Sequence, residues 1–174
     1  FFGDTRQLPP TVVSGDRELR HELGLSPMER LERSGVELET LHVQYRMPPS
    51  LVEFPSRHFY RGVVQSSDSV LRRVVPRGFV WPVGGLPLAF LDVNGNETKH
   101  EAGFSNAPEA ELVVDVVSDF LRKEENVVVL SPYAKQVSKV RTALRSAGVE
   151  GARAGSVDSF QGQEADTGVV SAHR

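Results

Sequence analysis

Asn126-Val127-Val128-Val129-Leu130-Ser131-Pro132-Tyr133 is the stretch on which the fold turns. From Asn126 to Leu130 the chain is nearly continuous valine. A strand with one wet face alternates polar and apolar residues; a run without alternation predicts a strand covered on both faces, the habit of parallel sheets. A polar turn, Ser131-Pro132-Tyr133, ends it. Downstream, Val137, Val140 and Leu144 recur at helical spacing and Gly148 stops the pattern, so residues 134–147 are predicted as a helix. Upstream, Asn106 reads as a helix cap, with Pro108 in the first turn and Glu109 three residues after the cap. Behind that cap, apolar residues at 112, 113, 116, 117, 120 and 121 mark one helix face. Residues 155–158 are predicted as a short strand, 160–164 as a turn, and Val169-Val170 as part of a last buried strand. Strand, helix, strand, helix, strand at this spacing predicts an α/β fold: a mostly parallel sheet with helices on both faces.

The first half of the chain is more irregular. A short helix is expected around residues 17–23. Ser26-Pro27-Met28-Glu29 is a helix start, with Ser as cap, Pro in the first turn and Glu three residues on. Residues 37–43 are predicted as a strand, 50–60 as a helix that contains Pro55, and 88–93 as another strand. The Gly-, Ser- and Pro-rich stretch 61–86 reads as a long surface excursion, with short strands expected at Val63-Val64 and 70–75. Arg72, Arg73 and Arg77 make it the most basic patch. Residues 94–105 read as a polar loop.

Between the predicted strand 37–43 and its following helix stands Gln44-Tyr45-Arg46-Met47-Pro48-Pro49. A tyrosine ring can stack on a base, a guanidinium can hold phosphate oxygens two at a time, and the prolines prevent either element from running on. In open parallel sheets ligands sit at the carboxyl ends of strands. The polar clusters Gln44-Tyr45-Arg46, Ser131-Pro132-Tyr133, 156–158 and Arg174 all fall at such ends.

Composition sets the outer bounds. The 174 residues are 39% hydrophobic and 25% charged, which excludes a disordered chain, and no apolar run is long enough for a membrane span. The absence of cysteine excludes disulfides and thiolate metal sites. A net charge of −3 means that any basic nucleic-acid surface must be local, or supplied by another part of a larger protein. The chain opens Phe1-Phe2-Gly3-Asp4 without Met and stops at Ser171-Ala172-His173-Arg174, so it is expected to be a piece of a longer polypeptide.

Taken in order, Gly3-Asp4-x-x-Gln7-Leu8-Pro9-Pro10, Ser26-x-x-Glu29-Arg30-Leu31, Gln44-Tyr45-Arg46-Met47, Phe54-Pro55-Ser56, Phe59-Tyr60, Asn106 with Glu109-Ala110, Ser131-Pro132-Tyr133-x-x-Gln136, Val157-Asp158-x-Phe160-Gln161-Gly162-x-Glu164-x-Asp166 and Ser171-x-x-Arg174 form a set. The set resembles superfamily 1 helicases of the up-frameshift type along essentially the whole chain. That resemblance implies a RecA-like fold of the P-loop NTPase type and a two-lobed motor. ATP lies between two RecA-like domains, and single-stranded RNA or DNA crosses both. It implies that residues 1–36 end the first domain and form a connector, and that residues 37–174 are the second domain. Gln7 is then the glutamine that senses the γ-phosphate, Tyr45 the ring that stacks on adenine, and Arg46 and Arg174 the two arginine fingers. Glu164 bonds the ribose hydroxyls, and Gln161 and Gly162 bring the backbone round to place it. Ser131, Pro132, Tyr133 and Ser156 are implied to touch the nucleic-acid strand; the alternatives are that Ser156 merely ends a strand and Tyr133 packs in the core.

No Gly-x-x-x-x-Gly-Lys-Ser/Thr occurs in these residues. The resemblance assigns that phosphate cradle, and the Asp-Glu pair that holds Mg²⁺, to the first RecA-like domain, the chain's expected partner. The isolated chain is therefore expected not to hydrolyse ATP. No membrane partner is expected, and the family's members imply an intracellular, cytoplasmic or nuclear setting. A non-motor RecA-like module that binds nucleic acid or protein stays open as the alternative, as does RNA against DNA.

Overall fold

The computed structural model describes residues 2–123 and 125–172. The chain divides into two compact units, Phe1–Leu71 and Arg72–Arg174.

The first unit begins with two short helices, α1 (Arg17–Gly24) and α2 (Pro27–Arg33). Asp16 caps α1 by accepting from the amides of Glu18 and Leu19, and Ser26 caps α2 by accepting from Glu29 N, 3.1 Å away. Of the strand expected over 37–43, only β1 (Val43–Gln44) forms, paired in parallel with β2 (Gln65–Ser66). β2 is two residues long, so residues before Val43 lie beyond its ladder, and Leu41 is exposed. Between them runs α3 (Pro49–Phe59), which includes Pro55. Its Val52 and Ser56 are buried, and the Ser56 hydroxyl donates to Val64 O at 2.8 Å. Neither strand expected near 63–64 and 70–75 forms. Instead a helical turn, α4 (Asp68–Leu71), starts at Ser67, whose carbonyl accepts from Val70 N. Val70 turns inward, and Val74 is left exposed.

The second unit holds a three-stranded parallel sheet. Strand β5 (Val127–Ser131) lies at its centre, with β6 (Arg153–Ser156) on one side and β7 (Thr167–Val170) on the other. Helix α5 (Ala107–Leu121) precedes β5 and α6 (Ala134–Ser146) follows it. Ala110, Val113, Val117 and Phe120 of α5 and Val140 and Leu144 of α6 cluster on Val127 and Val129. Val128 points to the opposite face and is buried as well, so the central strand is covered on both sides. Each such buried aliphatic side chain contributes roughly 1.5–3 kcal/mol relative to exposure. This α/β arrangement with parallel sheets is what the valine run predicts, and it is the RecA-like class that the resemblance implies.

Four further expectations fail here. The polar stretch 94–105 is not wholly a loop: β3 (Glu97–His100) and β4 (Gly103–Asn106) pair as an antiparallel hairpin. Polar composition conceals it, because β3 is exposed at every position. Residues 88–93 form no strand. With Phe79 and Trp81 they line a cavity of about 370 Å³ beside α5 and β7. The stretch 61–86 is also more than a surface excursion, because its aromatic residues anchor it. Phe79 and Trp81 pack on Phe120, and Trp81 Nε1 donates to Pro76 O at 2.9 Å. Gly78, with φ of 99°, allows this approach: a Cβ there would lie 2.5 Å from Asp119 O. Finally, the strand expected over 155–158 sits two residues earlier, and Val157 instead leads into a 3₁₀ turn, Asp158–Phe160. Among the described residues no helix is long and apolar enough to cross a membrane.

Candidate functional site

In the first unit the site is built on the turn between β1 and α3. Gln44 folds its side chain over this turn. Its Oε1 accepts from Arg46 N and Met47 N, both at 2.8 Å. Its Nε2 donates to Met47 O at 2.6 Å and to Ser66 Oγ on β2 at 2.8 Å. One amide thus replaces the ladder that the strand abandons here. Pro48 and Pro49 then start α3 at once. The result is a rigid turn that leaves Tyr45 66% exposed and Arg46 on the surface. Sequence pattern alone points to Tyr45 and Arg46 and not to Gln44. Its only signal is a long amide at a strand end, just before a segment that must turn.

Gln7 lies in the same unit, in a turn closed by Gln7 N donating to Asp4 O. Asp4 gathers this turn. Its Oδ1 accepts from Arg6 N at 2.9 Å, and its Oδ2 accepts from Gln7 Nε2 at 2.8 Å and from the Tyr60 hydroxyl at 2.6 Å. From the other side, Glu32 of α2 accepts from Thr5 Oγ1 at 3.0 Å and pairs with Arg6 at 3.9 Å. Burial pushes the Asp4 carboxyl up, but the hydrogen bonds from Tyr60, Arg6 N and Gln7, with the Arg6 charge, outweigh it and hold the group below its ordinary value. Burial, then the hydrogen bond to Asp4 and its charge, push the Tyr60 phenol up to about 12.

In the second unit the carboxyl ends of the three strands align. Ser131 stands in register with Ser156, and Ser171 N donates to Leu130 O at 2.8 Å, next to Ser131. Ser131 is buried, and its Oγ accepts from Tyr133 N at 3.3 Å. Pro132 is exposed and Tyr133 half-buried. Ser156 is half-buried, and its Oγ accepts from Ser159 N at 3.3 Å. Gln136 fastens this edge from below. It is 0% exposed; its Oε1 accepts from Asn106 N at 2.8 Å, and its Nε2 donates to Asn106 O at 3.1 Å and to Ser171 Oγ at 2.9 Å. Its sequence signal is a polar residue beside the apolar stripe of α6.

The Gln161-Gly162-Gln163-Glu164 segment is exposed and held by Arg153 on β6. Arg153 Nη1 donates to Gln163 Oε1 at 2.8 Å and Nη2 to Glu164 O at 3.3 Å, while its guanidinium lies 5.5 Å from the centre of the Phe160 ring. Gly155 makes room beneath: a Cβ there would lie 2.5 Å from Ser159 Oγ and 2.7 Å from the Phe160 ring. Nothing in the sequence pattern singles out Arg153.

The first unit therefore carries Gln7, Tyr45 and Arg46, and the second carries Ser131, Pro132, Tyr133, Ser156, Gln161, Gly162 and Glu164. Arg174 lies outside the described residues. Among the described residues no group of three or more His, Asp or Glu converges as a metal site would.

A family model described as an AAA domain matches residues 23–174. The chain is 34% identical to a regulator of nonsense transcripts 1 homolog of Arabidopsis thaliana over all of its own length and 15% of that protein's. It is 33% identical to the ATP-dependent helicase NAM7 of Saccharomyces cerevisiae, over its whole length and 19% of the helicase. It is 32% identical to an uncharacterised ATP-dependent helicase of Methanocaldococcus jannaschii, over 97% of this chain and 26% of that one. The chain thus spans about a quarter or less of each relative's length. It belongs to the AAA domain family, in the form carried by superfamily 1 helicases of the up-frameshift type.

Proposed function

We propose that the chain serves as the second RecA-like domain of an ATP-dependent RNA or DNA helicase, entered by residues 1–36 from the first domain and formed by residues 37–174. The observation that carries this reading is the turn built by Gln44. It spends four hydrogen bonds on presenting an exposed aromatic ring and a guanidinium side by side at a strand end. A packing element has no need of that arrangement, whereas a nucleotide site does.

In this reading Tyr45 stacks on adenine, and the Glu164 carboxylate accepts from the ribose hydroxyls. Arg46 and Arg174 meet the charge that develops on the transferred phosphoryl group, and Gln7 senses the γ-phosphate and orients water. Gln161 and Gly162 shape the loop that carries Glu164, and Arg153 steadies that loop. Pro132, Tyr133 and Ser156 at the sheet edge face the nucleic-acid strand, and the buried Ser131 acts beneath them by accepting from Tyr133 N. The phosphate cradle and the Mg²⁺ belong to the first RecA-like domain, so no step here runs through a metal held by this chain.

The test compares two preparations. The full-length protein should hydrolyse ATP faster when single-stranded nucleic acid is added, and residues 1–174 alone should show no turnover above the uncatalysed rate. Turnover by the isolated chain would place a phosphate cradle within it and overturn the division of labour. Competition between matched RNA and DNA single strands on the full-length protein identifies the substrate.

A further inference from the structure

The hydroxyl of Tyr60 reaches across 56 residues of sequence to Asp4 Oδ2, at 2.6 Å. The same oxygen accepts from Gln7 Nε2 at 2.8 Å. We propose that Tyr60 and Asp4 are positioning residues for Gln7, which lock its carboxamide with the nitrogen inward so that it presents its carbonyl oxygen as an acceptor. This rests on the reading of Gln7 as the residue that senses the γ-phosphate and orients the attacking water, and it specifies which end of the amide holds that water.

The chemistry of the partners fixes the orientation. An ionised carboxylate only accepts, so the end of the Gln7 amide beside it must be the NH₂ group. The Asp4 carboxyl is held in its charged form by the surrounding donors: Arg6 N at 2.9 Å, Gln7 and Tyr60. With one amide hydrogen committed to Asp4, Gln7 turns Oε1 outward, where it accepts from water.

Tyr60 is itself firmly placed. It caps the end of α3, its amide donates to Ser56 O at 3.0 Å, and its carbonyl accepts from Val63 N at 3.0 Å. The chain then turns through Arg61 with φ of 54° and Gly62 with φ of 77°, and Gly62 N donates back to Ser56 O at 2.9 Å. The other end of α3 emerges from the turn that bears Tyr45 and Arg46. One rigid helix, about 16 Å long, therefore joins the arginine turn to the glutamine turn. Its far end grips the glutamine turn through the Tyr60 phenol.

The experiment measures nucleic-acid-stimulated ATP hydrolysis by the full-length protein carrying Tyr60→Phe, Gln7→Ala, or both. Tyr60→Phe removes one oxygen from a half-buried ring. It should lower kcat on the order of tenfold and leave the KM for ATP and the affinity for a single-stranded oligonucleotide unchanged. In the Gln7→Ala background it should cost nothing more, because there is no amide left to position. A kcat within about twofold of the parent overturns the proposal. So does an equal loss in both backgrounds, which marks a purely structural tyrosine. If Gln7→Ala itself retains the parent kcat, the sensor role fails and the proposal falls with it; a slow Gln7→Ala beside a fast Tyr60→Phe condemns the positioning role alone. Should Tyr60→Phe fail to fold, Asp4→Asn replaces it in the same cycle with the same expected outcomes, since it keeps the side chain's shape and removes its charge.

Discussion

Gln44 is the residue on which the turn bearing Tyr45 and Arg46 depends. Its amide serves Arg46 N, Met47 N, Met47 O and Ser66 Oγ at once, so truncation strands four partners rather than one. Gln44→Ala should leave the full-length protein folded but lower kcat for ATP on the order of a hundredfold, the usual cost of moving a catalytic group by about 1 Å; steady-state kinetics with a thermal melt check this. The Asp4–Tyr60 pair makes a different kind of prediction. The Tyr60 phenol is raised from 10.0 to about 12, so its contribution to stability is complete below pH 10 and is lost as pH climbs through 12. Asp4 is lowered from 3.8, so its contribution is present above that value and is lost as pH falls through its folded value. The difference in urea midpoint between the parent and Tyr60→Phe should be flat from about pH 5 to 9 and shrink above about pH 10. A difference that grows with pH in that upper range contradicts the hydrogen bond.

At the scale of elements, β6 and the loop after the 3₁₀ turn form one device. Arg153 on β6 binds Gln163 and Glu164 O and lies over Phe160, and Gly155 leaves space for Ser159 and Phe160 to close down. Arg153→Ala should free the loop that carries Glu164 and raise the KM for ATP about fivefold. Binding of single-stranded nucleic acid should stay the same, as fluorescence anisotropy would report. Elements whose signals are local were legible in the sequence. Ser26 and Asn106 cap their helices through the amides three residues on, and the valine run is the central strand. Elements that depend on a partner were not. The β3–β4 hairpin is polar on the exposed strand β3, so neither hydrophobic period marks it. Residues 88–93 carry a strand's composition without a ladder, because composition supplies side chains to pack and not the neighbouring backbone to pair with.

At the scale of the molecule, the order of motifs along the chain declared the family, and the valine strand with its flanking helices declared the fold. The supporting contacts were hidden because they join residues far apart in sequence. Tyr60 meets Asp4 across 56 positions, Gln136 meets Asn106 across 30 and Ser171 across 35, and Arg153 meets Gln163 across 10. Each joins two segments that composition treats separately. The first unit holds Gln7, Tyr45 and Arg46, and the second holds Glu164 and the serine row. The central claim is that this family member works by supplying a cation to a phosphoryl group bound elsewhere in the protein. The most direct measurement is nucleic-acid-stimulated ATP turnover by full-length Arg46→Ala, with binding of ATP and single-stranded nucleic acid followed in parallel. The expected result is a loss of roughly 10³ to 10⁵ in kcat with both ligands still bound. Turnover within about twofold of the parent would remove Arg46 from the transition state and contradict the account.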